Sequence, residues 1–322
     1  MRVTVTGGHG FIGSHVLVQL VEAGHEVTCL DVREPSSVAE PVSEGYRFVE
    51  GDVTDAADVF DAVARFEPDR VIHLASLLGR PSQNDPRRAF AVNVDGTLNV
   101  LEAADTHGVE RVVAASSSAS YGPSTGDRLT EETPQTPESI YGLTKYAVER
   151  IGRTYRDQRG VEFAALEPLH GLGPDRNRGN VEDAYIVKAA VSGVPVEVPD
   201  LDTPIEFIYV GDEATAFVAV TLADELAHDR YLVGSGNRAT LAEFVEVVRE
   251  RVPGADVTLR PGREDGEYPP FPRSDSSRLR EDVGWEATLD IAETVDTYVE
   301  WLEANPDAWT FDPDDAPWGT TD

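Results

Sequence analysis

Lysine is almost missing from this chain: Lys145 and Lys188 are the only two among 322 residues. Positive charge of any kind is scarce, with 27 lysines and arginines against 59 acids and a formal net charge of −32. A surface that neutralises nucleic-acid phosphates or docks on an anionic membrane needs a basic patch. None is visible, so neither nucleic acid nor membrane is an expected partner. The acids are spread along the chain instead of being gathered in a tail. Their repulsion costs little where screening falls to a few ångströms, so the pattern points to a halophilic source. Cysteine is scarcer still: Cys29 stands alone, which excludes an intrachain disulfide and a cysteine metal cluster. It falls in an apolar strand pattern, reads as core and fits a reducing cytoplasm. No apolar run approaches the ~20 residues that span a bilayer. The N-terminus reads as a strand and a glycine turn, without a signal-peptide pattern.

What the chain does have is ordinary globular composition, 40% hydrophobic. In the first half strand-like and helix-like segments alternate. Strands are expected at 2–6, 26–30, 46–50, 70–74 and 111–115, with helices at 11–23, 56–66 and about 87–107. Such alternation predicts βαβ units, hence an α/β Rossmann-type doubly wound parallel sheet. Past 165 the pattern loosens. Residues 171–180 read as loop, 207–210 as a strand, and a helix starts at Asp212. A helix at 240–251 opens on Thr240 with Glu243 three residues on, a capping pattern. Another is expected at 291–304, with Trp309 and Trp318 placed to pin the tail. The expected division is a cofactor-binding domain over 1–165, to which 205–222 returns. A smaller C-terminal substrate-binding lobe and tail then take 166–204 and 223–322.

Residues 3–14 read VTVTGGHGFIGS. Gly7, Gly10 and Gly13 allow, in turn, a tight turn, close approach of a pyrophosphate, and packing of the helix on the strand. The helix opening there aims amide N–H groups and a positive dipole end at phosphate. Asp31, ending the second strand, suits the ribose hydroxyls of NAD and repels the extra phosphate of NADP, although Arg33 sits close by. The plain structural reading is a glycine turn that only joins strand to helix; the strand, the helix and the acid together argue against it.

Residues 139–149 read SIYGLTKYAVE. Tyr141 and Lys145 are four apart and share one helix face. A neighbouring ammonium lowers the pKa of a phenol, so Tyr141 is the expected base and Lys145 its tuner and a ligand of the nicotinamide ribose. Upstream, VVAASSSASYG (112–122) carries a buried strand into serines at the sheet edge where ligands bind. Ser117 is the choice for holding the substrate oxygen, with Ser116 and Ser118 as near alternatives. Alone, the segment would read as a serine turn.

Taken together these motifs resemble the extended short-chain dehydrogenase/reductase family, also called the NAD-dependent epimerase/dehydratase family, over nearly the whole chain. GDVTD (51–55), VIHLAS (71–76), NVDGTLNVLEAA (93–104), FIYVGDEA (207–214) and LREDVGWEATLDIAE (279–293) fall in its order. The resemblance implies NAD bound by the turn with Phe11 and Ile12, by Asp52 and Val53 near the adenine, and by Leu74, Ala75 and Asn93. It also implies a homodimer formed through helices flanking Tyr141. The chain departs from the family's pattern in several places. Ser118 and Ala119 stand where dehydratases carry acids. The LRxxNVYGP-like segment reads LEPLHGLGP (166–174), with Glu167 for arginine and His170 for asparagine. Ile205 replaces another arginine, and Arg263 is left to fill a second arginine position. Fewer cations where a diphosphate would lie argues for a small substrate, and 73–103 also resembles the family's threonine-dehydrogenase-like branch. His170 is either a substrate contact or a loop histidine in a polar slot. His73 reads as a strand-end residue, and neither histidine has metal-ligand spacing.

The expected function is thus an NAD-dependent dehydrogenase of a small sugar, sugar acid or similar polar metabolite. The alternatives are a nucleotide-sugar epimerase and a catalytically silent NAD-binding regulator.

Overall fold

The computed structural model describes residues 1–123, 126–177, 181–200, 203–261 and 272–315. Seven parallel strands form the main sheet: β1 (Arg2–Thr6), β2 (Glu26–Asp31), β3 (Tyr46–Glu50), β4 (Arg70–His73), β5 (Arg111–Ala115), β7 (Glu162–Pro168) and β11 (Arg230–Val233). Their order is β11-β7-β5-β4-β1-β2-β3. Short β-branched runs make these strands, and both faces are covered, so nearly every residue of β1 is buried. Alternate residues feed opposite cores. Ile72 and Val113 join one core, with α1 (Phe11–Glu22) and α8 (Val210–Leu222). Val71 and Val112 join the other, with α2 (Ala56–Phe66), α5 (Gly96–His107) and α6 (Ile140–Arg159). The fully buried Arg111 ties sheet to helix by donating to the carbonyls of Val220 (3.1 Å) and Ala223 (2.6 Å) at the end of α8.

From β1 the chain runs outward through β2 and β3, then returns to start β4 on the other side of β1. That reversal opens a crevice at the carboxyl ends of β1 and β4, the usual ligand position in such sheets.

Three small sheets complete the described strands. β8 (His170–Leu172) and β12 (Arg238–Ala239) flank β10 (Ile205–Tyr209), β9 (Val196–Pro199) pairs with β13 (Val257–Arg260), and β6 (Arg128–Leu129) pairs with β14 (Arg273–Ser274). A third core gathers α7 (Glu182–Ser192), α9 (Leu241–Arg251) and α11 (Ile291–Ala304) against the β9 and β10 strands. α10 (Ser277–Val283) packs Leu279 into the first core.

Several boundaries differ from expectation. The helix expected over about 87–107 is broken into α4 (Pro86–Phe90), a π-helical stretch at Ala91–Asp95 and α5, and a further short helix, α3 (Gly79–Asn84), precedes it. Asn93 lies in the π stretch and is drawn to Leu77, which accounts for the widened turn. Residues 171 and 172, read as the start of a loop, belong with His170 to β8 because β10 pairs with them. Residues 205–209 do not enter the main sheet, but Ile208 and α8 pack in the first core. The main sheet instead takes β11, from beyond the expected boundary at 223, through pairing with β7. The Thr240–Glu243 capping box is present. Trp309 Nε1 donates to the Leu302 carbonyl at 2.9 Å, while Trp318 lies outside the described residues. No helix among the described residues is long and apolar enough to cross a membrane.

Candidate active site

The crevice is a cleft of about 410 Å³ running from the glycine turn to the N-terminus of α6. At its phosphate end the turn leaves no room for side chains. Gly7 has φ +71°, and a Cβ there would lie 2.5 Å from the Ala75 nitrogen. A Cβ on Gly13 would lie 2.2 Å from the Gly7 carbonyl oxygen. Gly10 is the N-cap of α1, with no side-chain cap and no acid in the first turn. The first amides of α1 thus keep their donors for an anionic group, and Gly10, Phe11 and Ile12 line the cleft beside them. This cradle fits a pyrophosphate.

At one end lie Asp31, Asp52, Val53, Leu74 and Ala75, all lining the cleft. Asp31 is buried at the end of β2, where it accepts from the amides of His9 (3.0 Å) and Arg33 (3.1 Å). Arg33 pairs with it at 3.6 Å and lines the same wall. His9, which the sequence reading passed over, holds this corner by bonding the Arg33 carbonyl (2.6 Å) and the Tyr46 hydroxyl (3.0 Å). Asn93 is elsewhere. It is buried, and its amide group bonds the backbone of Leu77 and the Thr144 hydroxyl, so it shapes the wall from behind.

At the other end Ser117, Tyr141 and Lys145 come together. Ser139 caps α6 by accepting from Gly142 N at 3.0 Å, which fixes Tyr141 in the first turn and Lys145 one turn on. Gly142 is required for this docking, since a Cβ there would lie 2.3 Å from the Ala119 carbonyl oxygen. The Lys145 ammonium stands 5.6 Å from the Tyr141 ring centre and donates to the Ala115 carbonyl at 2.8 Å. Burial pushes the Tyr141 phenol up to about 12, with Glu213 adding to the rise; a hydrogen bond with Ser117 and the charge of Arg176 pull it down. The expected lowering by Lys145 is not what sets the phenol's position. Burial pushes Lys145 itself down to about 7 against the pull of Glu149, so it carries only part of its charge at neutral pH.

That depressed lysine has a stability consequence. From about pH 7 up to its ordinary 10.5 the unfolded chain holds the proton more tightly than the folded one. Stability from this group therefore rises with pH across that window, and the full penalty stands below pH 7. Lys145→Met should raise Tm by at least ~2 °C at pH 6 and by less at pH 9, as thermal melts at the two values would report. An equal shift at both would contradict this origin.

The three serines separate. Ser116 donates to Glu149, Ser117 faces the cleft beside Tyr141, and Ser118 does not line the cleft. His170 also stays out of the lining: its Nε2 bonds Asp183 at 3.0 Å and its ring stands edge-on to Phe207. Burial pushes the Asp183 carboxyl up, but His170 and Arg176 outweigh it and hold it below its ordinary value. His73 is buried and bonded at both ring nitrogens, to Thr6 (2.7 Å) and Thr97 (3.1 Å). Burial and the charge of Lys145 push it down to about 3. Arg263 lies outside the described residues. Glu167, which stands where an arginine was expected, points away from the cleft. It accepts from the Tyr121 hydroxyl (2.6 Å) and Arg230 (2.8 Å), while burial and neighbouring Glu149 push its carboxyl up to about 8, so it carries little negative charge at neutral pH.

Arg176 and Glu213 are among the lining residues that the sequence did not single out. Arg176 lies over the Phe11 ring at 5.1 Å, bringing a cation to the phosphate end. Glu213, in the first turn of α8, reaches the cleft beside Gly171. Asp212 beside it is the other acid of that first turn. Asp212 does serve structure, accepting from Thr288 and Leu289. Among the described residues no group of three His, Cys, Asp or Glu is placed to hold a metal.

Comparison with known proteins agrees with this geometry. The sequence profile of the NAD dependent epimerase/dehydratase family matches residues 3–234. The UDP-glucose 4-epimerase of Mycolicibacterium smegmatis is 29% identical, covering 94% of this chain and 98% of that protein. That of Bacillus subtilis is 28% identical over 95% of this chain and 98% of its own length. Among solved structures, the Thermus thermophilus UDP-glucose 4-epimerase in complex with NAD superposes with a TM-score of 0.84. It is 31% identical and covers 94% of this chain and 99% of that one. A family match across the whole main sheet, over a cleft with this glycine cradle, places the chain in the NAD dependent epimerase/dehydratase family, as an NAD-dependent enzyme of the extended short-chain dehydrogenase/reductase type.

Proposed function

We propose that the protein is a nucleotide-sugar epimerase resembling UDP-glucose 4-epimerase. The observation that carries this reading is the end-to-end likeness to UDP-glucose 4-epimerases, with almost nothing of either chain left over. The sequence alone had favoured a net dehydrogenase of a small metabolite, on missing cations. Two positions soften that argument: Glu167 lies outside the cleft lining with its carboxyl pushed up to about 8, and Arg176 brings a cation inside it.

In this reading the turn from Gly7 to Gly13 holds the NAD pyrophosphate and Asp31 its adenine ribose. Asp52 and Val53 flank the adenine, and Lys145 meets the nicotinamide ribose. Bound NAD supplies the hydride acceptor and donor at the sugar carbon. Ser117 orients the sugar hydroxyl. Tyr141 takes its proton and later returns it, so the same phenol must act as base and acid within one turnover. Burial pushes the phenol up to about 12 and Lys145 down to about 7, so the base role would depend on the positive nicotinamide ring favouring the phenolate.

Incubated in concentrated KCl with UDP-glucose and a small amount of NAD, the protein should form UDP-galactose without accumulating NADH. Steady NADH accumulation with a free sugar, and no epimerisation, would return the reading to a dehydrogenase. Phe90 and Leu143, both more than 40% exposed, stand on α4 and α6 beside the site. They suit burial between two copies, which supports a homodimer formed through this face.

A further inference from the structure

Glu213 is 1% exposed, lines the cleft, and its Oε2 has no hydrogen-bond partner. Leaving a buried carboxyl oxygen unmatched costs free energy unless something else fills the gap. The niche it occupies depends on a glycine. A Cβ on Gly171 would lie 2.3 Å from that oxygen and 2.9 Å from Phe11 Cε1. Gly171 falls where the family-like segment has valine; a side chain there would have to displace the carboxyl from this position.

Its place along the cleft narrows what it meets. Phe11 belongs to the phosphate cradle, and Tyr141, which feels the Glu213 charge, marks the reacting end. Glu213 therefore flanks the nicotinamide half of the track between them. The ribose of that half already has Lys145, and the group left with N–H donors is the carboxamide. We propose that Glu213 is the residue that receives the nicotinamide carboxamide, its free oxygen accepting an N–H of that group. This rests on the cofactor track given above. Burial pushes the Glu213 carboxyl up to about 8, against Arg176 and together with Asp212; a cationic ring beside it favours the ionised form.

The test compares NAD with ADP-ribose, which shares every part of the cofactor except the nicotinamide. Affinities would be titrated on the full chain, freed of nucleotide, for wild type, Glu213→Gln and Glu213→Leu. Removing a charge-assisted acceptor should weaken NAD about tenfold or more in Glu213→Leu. ADP-ribose should stay within about twofold, and Glu213→Gln, which keeps an acceptor, should recover most of the loss. Unchanged NAD affinity in Glu213→Leu overturns the proposal. So does an equal loss of ADP-ribose, which would mean general damage to the cleft. If wild type binds neither ligand, the track fails, and the role of Glu213 fails with it.

Discussion

Tyr141→Phe should lower kcat by roughly 10²–10⁴-fold while leaving the fold and NAD binding nearly unchanged. The hydroxyl is the only group lost, and it faces the cleft, where it bonds Ser117 without entering either sheet core. Because the phenol is the only proton acceptor assigned to the sugar hydroxyl, its loss removes chemistry and not binding. KM for the sugar nucleotide should move by no more than a few fold, which steady-state kinetics would report as a kcat effect. Undiminished turnover would take Tyr141 out of the mechanism. Wild-type NAD binding with no turnover on any sugar nucleotide would favour a regulator that binds the cofactor without using it.

Gly7→Ala carries two separate penalties. The first is conformational: at φ +71° an alanine costs roughly 1–2 kcal/mol. The second is steric, because the new Cβ would meet the Ala75 nitrogen at 2.5 Å and its Cα at 2.7 Å. Both are backbone atoms where the chain leaves β4, so relief requires moving a strand end, at a further ~1–3 kcal/mol. The expected result is about 2–5 kcal/mol of lost stability and loss of NAD binding, since the displaced turn carries the phosphate cradle. Gly24→Ala is the internal control. It has φ +77° with nothing within 4 Å of the added Cβ, so it should show the first penalty alone. Similar denaturation midpoints for the two variants would mean that the close approach at Ala75 is not tight.

The main lines of this account were legible because they depend on local chemistry. A glycine turn between strand and helix can be read from spacing, as can a tyrosine and lysine one helical turn apart. Features set by distant partners could not. β11 joins the sheet only because β7 offers it an edge, and Arg230–Val233 alone gives no sign of that. Asn93 looked like a cofactor ligand by its motif, but its amide is consumed by Leu77 and Thr144. Glu167 counted against a diphosphate until Tyr121 and Arg230 were found holding it inside the fold. Glu213 was hidden for the opposite reason. An acid in the first turn of a helix is ordinary, and only the assembled cleft beside Gly171 reveals where the carboxyl goes. The phenol's acidity belongs to the same class, because burial is a property of the assembled cleft.

The most direct measurement follows the hydrogen on the sugar. UDP-glucose carrying deuterium at C4 would be incubated with the protein and a trace of NAD in ordinary water, and the products examined by mass spectrometry. The account predicts UDP-galactose that keeps the deuterium, with no build-up of reduced cofactor, since the hydride goes out and back within one site while only the hydroxyl proton passes through Tyr141. Deuterium accumulating in NADH with no UDP-galactose formed would contradict it and make the protein a net dehydrogenase.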